Sequence, residues 1–212
     1  MSVLNRIAFY QSRRDEVPNQ QLAVELARTR NSKGIAEIAH NLDNKNRNVQ
    51  SDCLKVLYEI GYLQPELIAD YVEQFLGLLQ SKNNRMVWGS MIALGTVCAI
   101  RPKLIWSRID EVIEAIETGT LITVVWGVKT LAGVASTNRK YQERLFPILL
   151  EQIRTCLPRD VPMHAESSLL AVDERNKALF LSVLESRKSE LTPSQAARLR
   201  KVTRRLESAS AG

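Results

Sequence analysis

The chain has 212 residues, of which 45% are hydrophobic and 25% are charged, and its formal net charge is +6. This composition is that of a folded soluble protein, and it excludes a membrane-spanning chain because no stretch approaches the roughly 20 apolar residues that a transmembrane helix needs. The opening MSVLNRIAFYQSRRDE has no apolar run after its basic residues, so neither a signal peptide nor an anchor is expected and the predicted location is cytoplasmic.

The chain begins with an N-terminal segment, residues 1–18, followed by a predicted N-terminal capping helix at 19–34. In NQQLAVELARTR, Leu22 and Leu26 lie on one side of this helix. The segment therefore resembles half of a helical pair that covers the end of a repeat array.

An internal repeat follows. WGSMIALG at 88–95 returns as WGVKTLAG at 126–133, and the two tryptophans are 38 residues apart. A period between 20 and 50 residues is typical of stacked supersecondary units. Steps of the same length give the column Gln50, Trp88, Trp126 and His164, preceded by apolar residues and followed by small ones.

An amphipathic stretch precedes each copy of the octet. In PELIADYVEQFLGLLQ the apolar residues recur at three- and four-residue steps, which places them on one helical face. Polar breaks such as DNKNRN and QSKNNR then separate the two helices of a pair. The sequence predicts four helix pairs within 35–172, at about 35–60, 65–100, 105–136 and 141–172, and it shows no strand-like alternation.

The C-terminal region is basic. Capping helices are predicted at 173–206, and residues 207–212 are expected to form a disordered tail. Thr192, Pro193 and Gln195 form a capping-box pattern that opens the last helix. Between 187 and 207 there are seven basic residues and two acidic ones, so most of the net charge lies here. This surface is expected to be either a soluble cap or a binding site for an anionic partner.

The amphipathic first helix, polar turn and MVWGSMIALG pattern resembles the HEAT repeats of the armadillo-like class over about 35–172. The position that usually holds Arg in those repeats here holds Gln50, Trp88, Trp126 and His164. The resemblance implies an all-α, right-handed α–α superhelix, or α-solenoid, whose second helices line a groove that binds macromolecules.

Two interpretations of the repeated column remain open at this stage. If it faces the groove, its aromatic residues could hold a peptide or bases. If it faces the neighbouring helices, it is core. The leading hypothesis is a non-enzymatic scaffold that binds a macromolecular partner, with a protein as the first candidate, along the concave groove. The predicted partner-binding residues are Gln50, Trp88, Trp126, His164, Lys55 and Lys129.

No nucleotide-binding, metalloprotease or nucleophile-elbow motif is present, so no catalytic residue, metal or cofactor is predicted. His164 and Glu166 are two residues apart, and on a helix such residues do not face the same way. Cys53, Cys98 and Cys156 are widely spaced in apolar stretches and are expected to be buried free thiols.

The alternative function is nucleic-acid binding through the last helix, by Arg198, Arg200, Lys201, Arg204 and Arg205. Stacked helical pairs, basic charge and tryptophans also resemble the HEAT-like alkyl-base DNA glycosylases. A catalytic aspartate of such enzymes has no counterpart near Trp88 or Trp126, which favours passive binding. A third hypothesis is a purely structural subunit of a larger assembly.

Overall fold

The chain is described by a computed structural model over residues 2–209, and no strand occurs in this range. The α-helices are α1 Val17–Thr29, α2 Ser32–His40, α3 Arg47–Leu63, α4 Val72–Leu78, α5 Asn84–Val97, α6 Pro102–Ser107, α7 Ile109–Thr118, α8 Leu121–Ala135, α9 Arg139–Thr155, α10 Val161–Ser168, α11 Lys177–Ser186 and α12 Pro193–Ala209. Within the described range, no helix combines the length and apolar character needed to cross a membrane.

Helices α3, α5, α8 and α10 lie where the sequence predicts the second helices of the four pairs. The first helices are less regular than predicted. The stretch after Gln64 forms two 3-10 turns, Pro65–Leu67 and Ala69–Tyr71, before α4 begins. The next first helix is split at Arg108 into α6 and α7.

Asparagine side chains cap the N-termini of several helices. Asn46 accepts a hydrogen bond from the backbone N–H of Asn48 at 2.9 Å, and Asn83 accepts one from that of Arg85 at 3.1 Å. Both bonds satisfy a donor that has no partner within its own helix. The polar breaks therefore fix the starting points of α3 and α5, which carry the candidate site.

The chain divides into two compact units, Met1–Gly127 and Val128–Gly212, with the division inside α8. In the first unit α3 packs between α1 and α5. Gly89 permits the contact of α5 with α3, because a Cβ at this position would lie 2.7 Å from Cδ2 of Leu54. The small residue that follows each column residue thus has a physical reason in this pair of helices.

The second unit contains α9, α10, α11 and α12, and α12 packs against α10. The predicted capping box forms, since Thr192 N–H donates to Gln195 Oε1 at 2.9 Å and Gln195 N–H donates to Thr192 Oγ1 at 3.4 Å. Leu199 and Val202 are buried. The expectation of a disordered tail from 207 is wrong for its first three residues, because α12 continues through Ala209. Residues 210–212 lie outside the described residues.

Candidate binding surface

Four aromatic side chains of the first unit form a connected group on its second helices. Tyr58 and Tyr62 are one turn apart on α3, and their ring centroids are 5.9 Å apart. Tyr58 lies 6.2 Å from Trp88 of α5, and Tyr62 lies 5.5 Å from Trp126 of α8. These tilted and edge-on arrangements are those that aromatic pairs prefer. We call Tyr58, Tyr62, Trp88 and Trp126 the aromatic cluster.

The aromatic cluster is neither a closed core nor a fully open surface. Tyr58 is only 5% exposed, Tyr62 is 46% exposed, and both tryptophans are partly exposed. Each tryptophan therefore packs against a tyrosine and still offers part of its ring to solvent. The two interpretations of Trp88 and Trp126 each hold for part of the side chain.

Burial raises the pKa of both tyrosines of the cluster, and that of Tyr62 reaches about 12. The Lys55 ammonium opposes this rise in pKa, whereas the carboxylate of Glu59 adds to it, because a negative charge disfavours a phenolate. Both hydroxyls consequently keep their protons at neutral pH. The hydroxyl of the half-exposed Tyr62 is available as a hydrogen-bond donor.

Lys55 lies at one end of the aromatic cluster, with its Nζ 4.8 Å from the ring centroid of Tyr58. Its ammonium group pairs with Glu16 at 2.8 Å and with Glu59 at 2.7 Å, and only 11% of the side chain is exposed. Burial by itself would lower the pKa of Lys55, but the hydrogen bonds to the two carboxylates outweigh it and raise the pKa. Lys55 is thus a fixed cation on an aromatic face.

A cavity of about 560 Å³ adjoins this end of the cluster. Its lining residues are Ala8, Phe9, Ser12, Arg13, Arg14, Asp15, Glu16, Asn48, Ser51, Asp52, Leu54, Lys55, Tyr58, Arg85 and Trp88. One wall is therefore α3, another is the start of α5, and the third is the N-terminal segment.

Asp52 holds the N-terminal segment against α3. Its Oδ2 accepts from the backbone N–H of Phe9 at 2.7 Å, and its Oδ1 accepts from Nδ2 of Asn19 at 2.9 Å. Oδ1 of Asn19 in turn accepts from the backbone N–H of Ala8 at 2.9 Å. The segment predicted only as a lead into the capping helix thus forms part of the cavity wall.

Of the predicted partner-binding residues, Trp88 and Lys55 line this cavity and Trp126 belongs to the aromatic cluster. Gln50 is partly exposed on the first turns of α3, and it lies outside the cavity lining. Lys129 is partly exposed and belongs to the second unit.

His164 was predicted to bind a partner on the condition that the repeated column faces the groove, but it is buried and follows the core interpretation instead. Its side chain is 1% exposed, because it is on α10, the helix against which α12 packs. Burial lowers the pKa of His164, and the charge of Asp160 only partly opposes this. Nδ1 of His164 has no hydrogen-bond partner among the described residues. His164 is therefore a neutral core residue at pH 7.

The basic end of the chain is only partly a free surface. Arg198 forms a two-pronged ion pair with Glu166, with Nε and Nη2 at 2.8 and 2.5 Å from the two carboxylate oxygens. Four further side chains on α12 are exposed: Arg200, Lys201, Arg204 and Arg205. These four form the basic face of α12. Lys201 and Arg205 lie near enough to Glu166 to help Arg198 lower the pKa of its carboxyl.

Arg187 belongs to the basic end of the sequence, but its side chain is buried and binds the end of α9. It is 7% exposed, and its guanidinium donates to the backbone carbonyl groups of Ile153, Arg154 and Cys156, the last at 2.8 Å. It also pairs with Glu190 at 2.8 Å. Since the last carbonyls of a helix have no partner within it, Arg187 caps the C-terminus of α9.

The thiols agree with the expected burial at two of three positions. Cys53 and Cys98 are buried, and Cys156 is partly exposed. Burial raises the pKa of Cys53 to about 12, which makes its thiolate rare at neutral pH. Over residues 2–209, no group of three or more His, Cys, Asp or Glu side chains is arranged to hold a metal ion.

Sequence reasoning missed Tyr58 and Tyr62, the residues that join the two tryptophans. The available signal was the spacing Lys55, Tyr58, Tyr62, which places all three on one face of α3. The repeat did not reveal them because the corresponding positions hold Thr96 in α5 and Ile100 just after the end of α5.

The sequence matches no protein-family model and no curated protein. Its fold does have similar solved structures. A designed armadillo repeat protein in complex with the peptide (KR)4 has a TM-score of 0.66 and 12% identity over 87% of this chain and 85% of its own. A computationally designed armadillo repeat protein for modular peptide recognition has a TM-score of 0.65 and 11% identity, over 90% of this chain and 94% of its own. The match to an engineered protein covers 96% of this chain and 97% of the engineered chain, with a TM-score of 0.62 and 15% identity.

The fold is an armadillo-like α-solenoid. The predicted all-α superhelix of helical repeats is thereby confirmed as a fold class. Because the identities are 11 to 15%, the similarity concerns the fold alone.

Proposed function

We propose that the chain is a non-enzymatic scaffold that binds a segment of a protein partner in extended form, through the aromatic cluster and the adjoining cavity of the first unit. The observation that carries this proposal is the set of partly exposed aromatic rings beside a cavity of about 560 Å³. Rigid aromatic rings offer a large contact area at a small entropy cost, and they are enriched among residues that dominate binding energy.

The comparisons add support of a different kind. Two of the similar structures are designed repeat proteins, one in complex with a peptide and one made for peptide recognition. In this chain Tyr58, Trp88 and Trp126 lie on the second helices α3, α5 and α8. We infer that these helices present the binding surface here too.

The test is selection of peptides from a random phage-displayed library of 12-residue peptides against the immobilised protein. Selected clones are then rebound to Trp88→Ala and Trp126→Ala variants whose helix content is checked by circular dichroism. The proposal expects clones whose binding falls at least about tenfold in these variants, the loss that corresponds to a single dominant aromatic contact.

A matched control is Tyr141→Ala, which removes a partly exposed aromatic ring from the second unit. Clones selected on the first-unit surface should bind this variant as they bind the original protein. If no enriched clone depends on Trp88 or Trp126, the proposed function is wrong.

A second candidate function rests on the basic face of α12. Four exposed cations on one helix suit a phosphate backbone, whose binding weakens steeply with added salt. Fluorescence anisotropy with labelled duplex and single-stranded DNA, at low and physiological salt, tests it against an Arg200→Ser/Arg204→Ser variant. Absence of binding at low salt removes this candidate.

A further inference from the structure

The acidic groups of the cavity are already engaged within the chain. Asp15 pairs with Arg13 at 2.9 Å, and Glu16 pairs with Lys55 at 2.8 Å. Asp52 accepts two hydrogen bonds, from Phe9 and from Asn19. The charges of Asp15 and Glu16 are therefore offset within the chain, and both oxygens of Asp52 already accept hydrogen bonds before any ligand arrives.

Two arginines of the same cavity are not engaged in this way. Arg14 and Arg85 are exposed, and no carboxylate of the described residues pairs with either side chain. Arg14 lies on the N-terminal segment and Arg85 on the first turn of α5, so they approach the cavity from two different walls. The free hydrogen-bonding capacity of this cavity is thus cationic.

The chain itself contains one example of the contact that such a cavity favours. The carboxylate of Glu16 binds the Lys55 ammonium, which lies over the ring of Tyr58. A carboxylate, a cation and an aromatic face therefore meet in one place. A ligand with alternating acidic and aromatic side chains would repeat this contact along the cavity, with its carboxylates at Arg14 and Arg85.

We propose that the partner segment is an acidic peptide with aromatic residues, whose carboxylates pair with Arg14 and Arg85 while its rings pack on the exposed part of Trp88. This inference rests on the proposed function and specifies the chemistry of the same site. An arginine–carboxylate pair in a partly enclosed cavity is a charge-assisted contact that discriminates strongly between acidic and basic ligands.

The experiment measures fluorescence anisotropy of three fluorescein-labelled peptides, (Glu-Tyr)4, (Gln-Tyr)4 and (Lys-Tyr)4, with the full chain at low salt. We expect (Glu-Tyr)4 to bind at least about tenfold more tightly than (Gln-Tyr)4, as one or two charge-assisted hydrogen bonds would give, and (Lys-Tyr)4 to bind more weakly still. An Arg14→Gln/Arg85→Gln variant should lose this preference.

The control is Arg139→Gln/Arg154→Gln, which changes the net charge equally and alters two exposed arginines of α9 in the second unit. It should keep the preference for (Glu-Tyr)4. Equal affinity for the three peptides, no binding of any, or an equal loss in both double variants would overturn the inference.

The phage selection separates this inference from the function on which it rests. Clones that depend on Trp88 but carry no excess of Asp and Glu would leave the peptide-binding function standing and overturn the acidic ligand. An absence of clones that depend on Trp88 or Trp126 would instead overturn the function itself.

Discussion

Trp88 and His164 occupy the same column of the predicted repeat, in the second helices of different pairs, but their surroundings differ. Trp88 packs against Tyr58 and remains partly exposed. His164 is 1% exposed, on the helix that packs against α12. A repeated position therefore fixes the place of a residue on its helix, whereas its exposure depends on what the neighbouring elements place over it.

The largest expected effect on stability concerns the buried Arg187 of the second unit. Arg187 joins the connection between α11 and α12 to the end of α9, with three carbonyl acceptors and Glu190. Arg187→Ala removes the guanidinium donor from one buried and two partly buried carbonyl groups, and it should lower the free energy of unfolding by about 3 kcal/mol. Urea unfolding followed by circular dichroism measures this loss.

The control for Arg187→Ala is Arg154→Ala, which removes an exposed arginine side chain of α9. It should change the free energy of unfolding by less than about 0.5 kcal/mol. Equal losses in the two variants would show that Arg187 contributes no more than a surface charge.

The next prediction uses the buried histidine as a pH probe. The folded state disfavours protonation of His164, so its folded-state pKa is lower than that of the unfolded chain. Below about pH 6.5 the unfolded state therefore binds more protons, and stability should fall by up to about 1.4 kcal/mol per pH unit until the folded-state pKa is reached. Urea titrations at pH 7.5, 6.5 and 5.5 measure the slope.

His164→Gln should flatten this part of the pH profile. His40→Gln, which changes an exposed histidine, should leave it unchanged. If His164→Gln and the original protein lose stability in parallel between pH 6.5 and 5.5, the assignment of His164 as a buried neutral group is contradicted.

The partly exposed Trp88 should tolerate substitution better than the buried Arg187. Trp88→Ala removes one aromatic contact and part of a buried surface, so we expect a loss of about 1.5 kcal/mol in stability and an unchanged helix content. Thermal unfolding by circular dichroism measures it. A loss above about 4 kcal/mol would identify Trp88 as core, since such values are typical of Trp→Ala changes in a packed interior.

The smallest expected effect is at the ion pair between α12 and α10. Arg198 and Glu166 are well aligned, but both side chains are substantially exposed. Arg198→Gln should therefore cost only about 0.5 kcal/mol, and less at 0.5 M salt. Chemical unfolding at two salt concentrations tests this, and a salt-independent loss of more than 1 kcal/mol would contradict it.

Local rules made much of the architecture predictable. The Thr192–Gln195 capping box was predicted from a four-residue pattern and is formed, because its partners lie within one turn. The second helices were predicted from an apolar and a small column. The contacts of the site could not be predicted in this way, since Glu16 meets Lys55 across 39 positions of sequence and only the folded chain brings them together.

Exposure was the least predictable property. Sequence reasoning left open whether His164 faces the groove or the core and counted Arg187 with the basic end. Both residues are buried, His164 on the helix that packs against α12 and Arg187 against the end of α9. Both cases need the position of an element that is distant in sequence. The contact of Tyr62 with Trp126 could not be predicted from local sequence either, because Trp126 lies on another helix.

The position of Arg187 also changes the expected thermodynamics of any polyanion at this end of the chain. Of the seven basic residues between 187 and 207, Arg187, Lys188 and Arg198 are engaged in ion pairs within the chain. Only the four on the basic face of α12 would release counterions from a phosphate backbone. The logarithm of the binding constant should then fall with that of salt concentration with a slope near −4 at most, rather than the value of about −6 that the seven charges suggest.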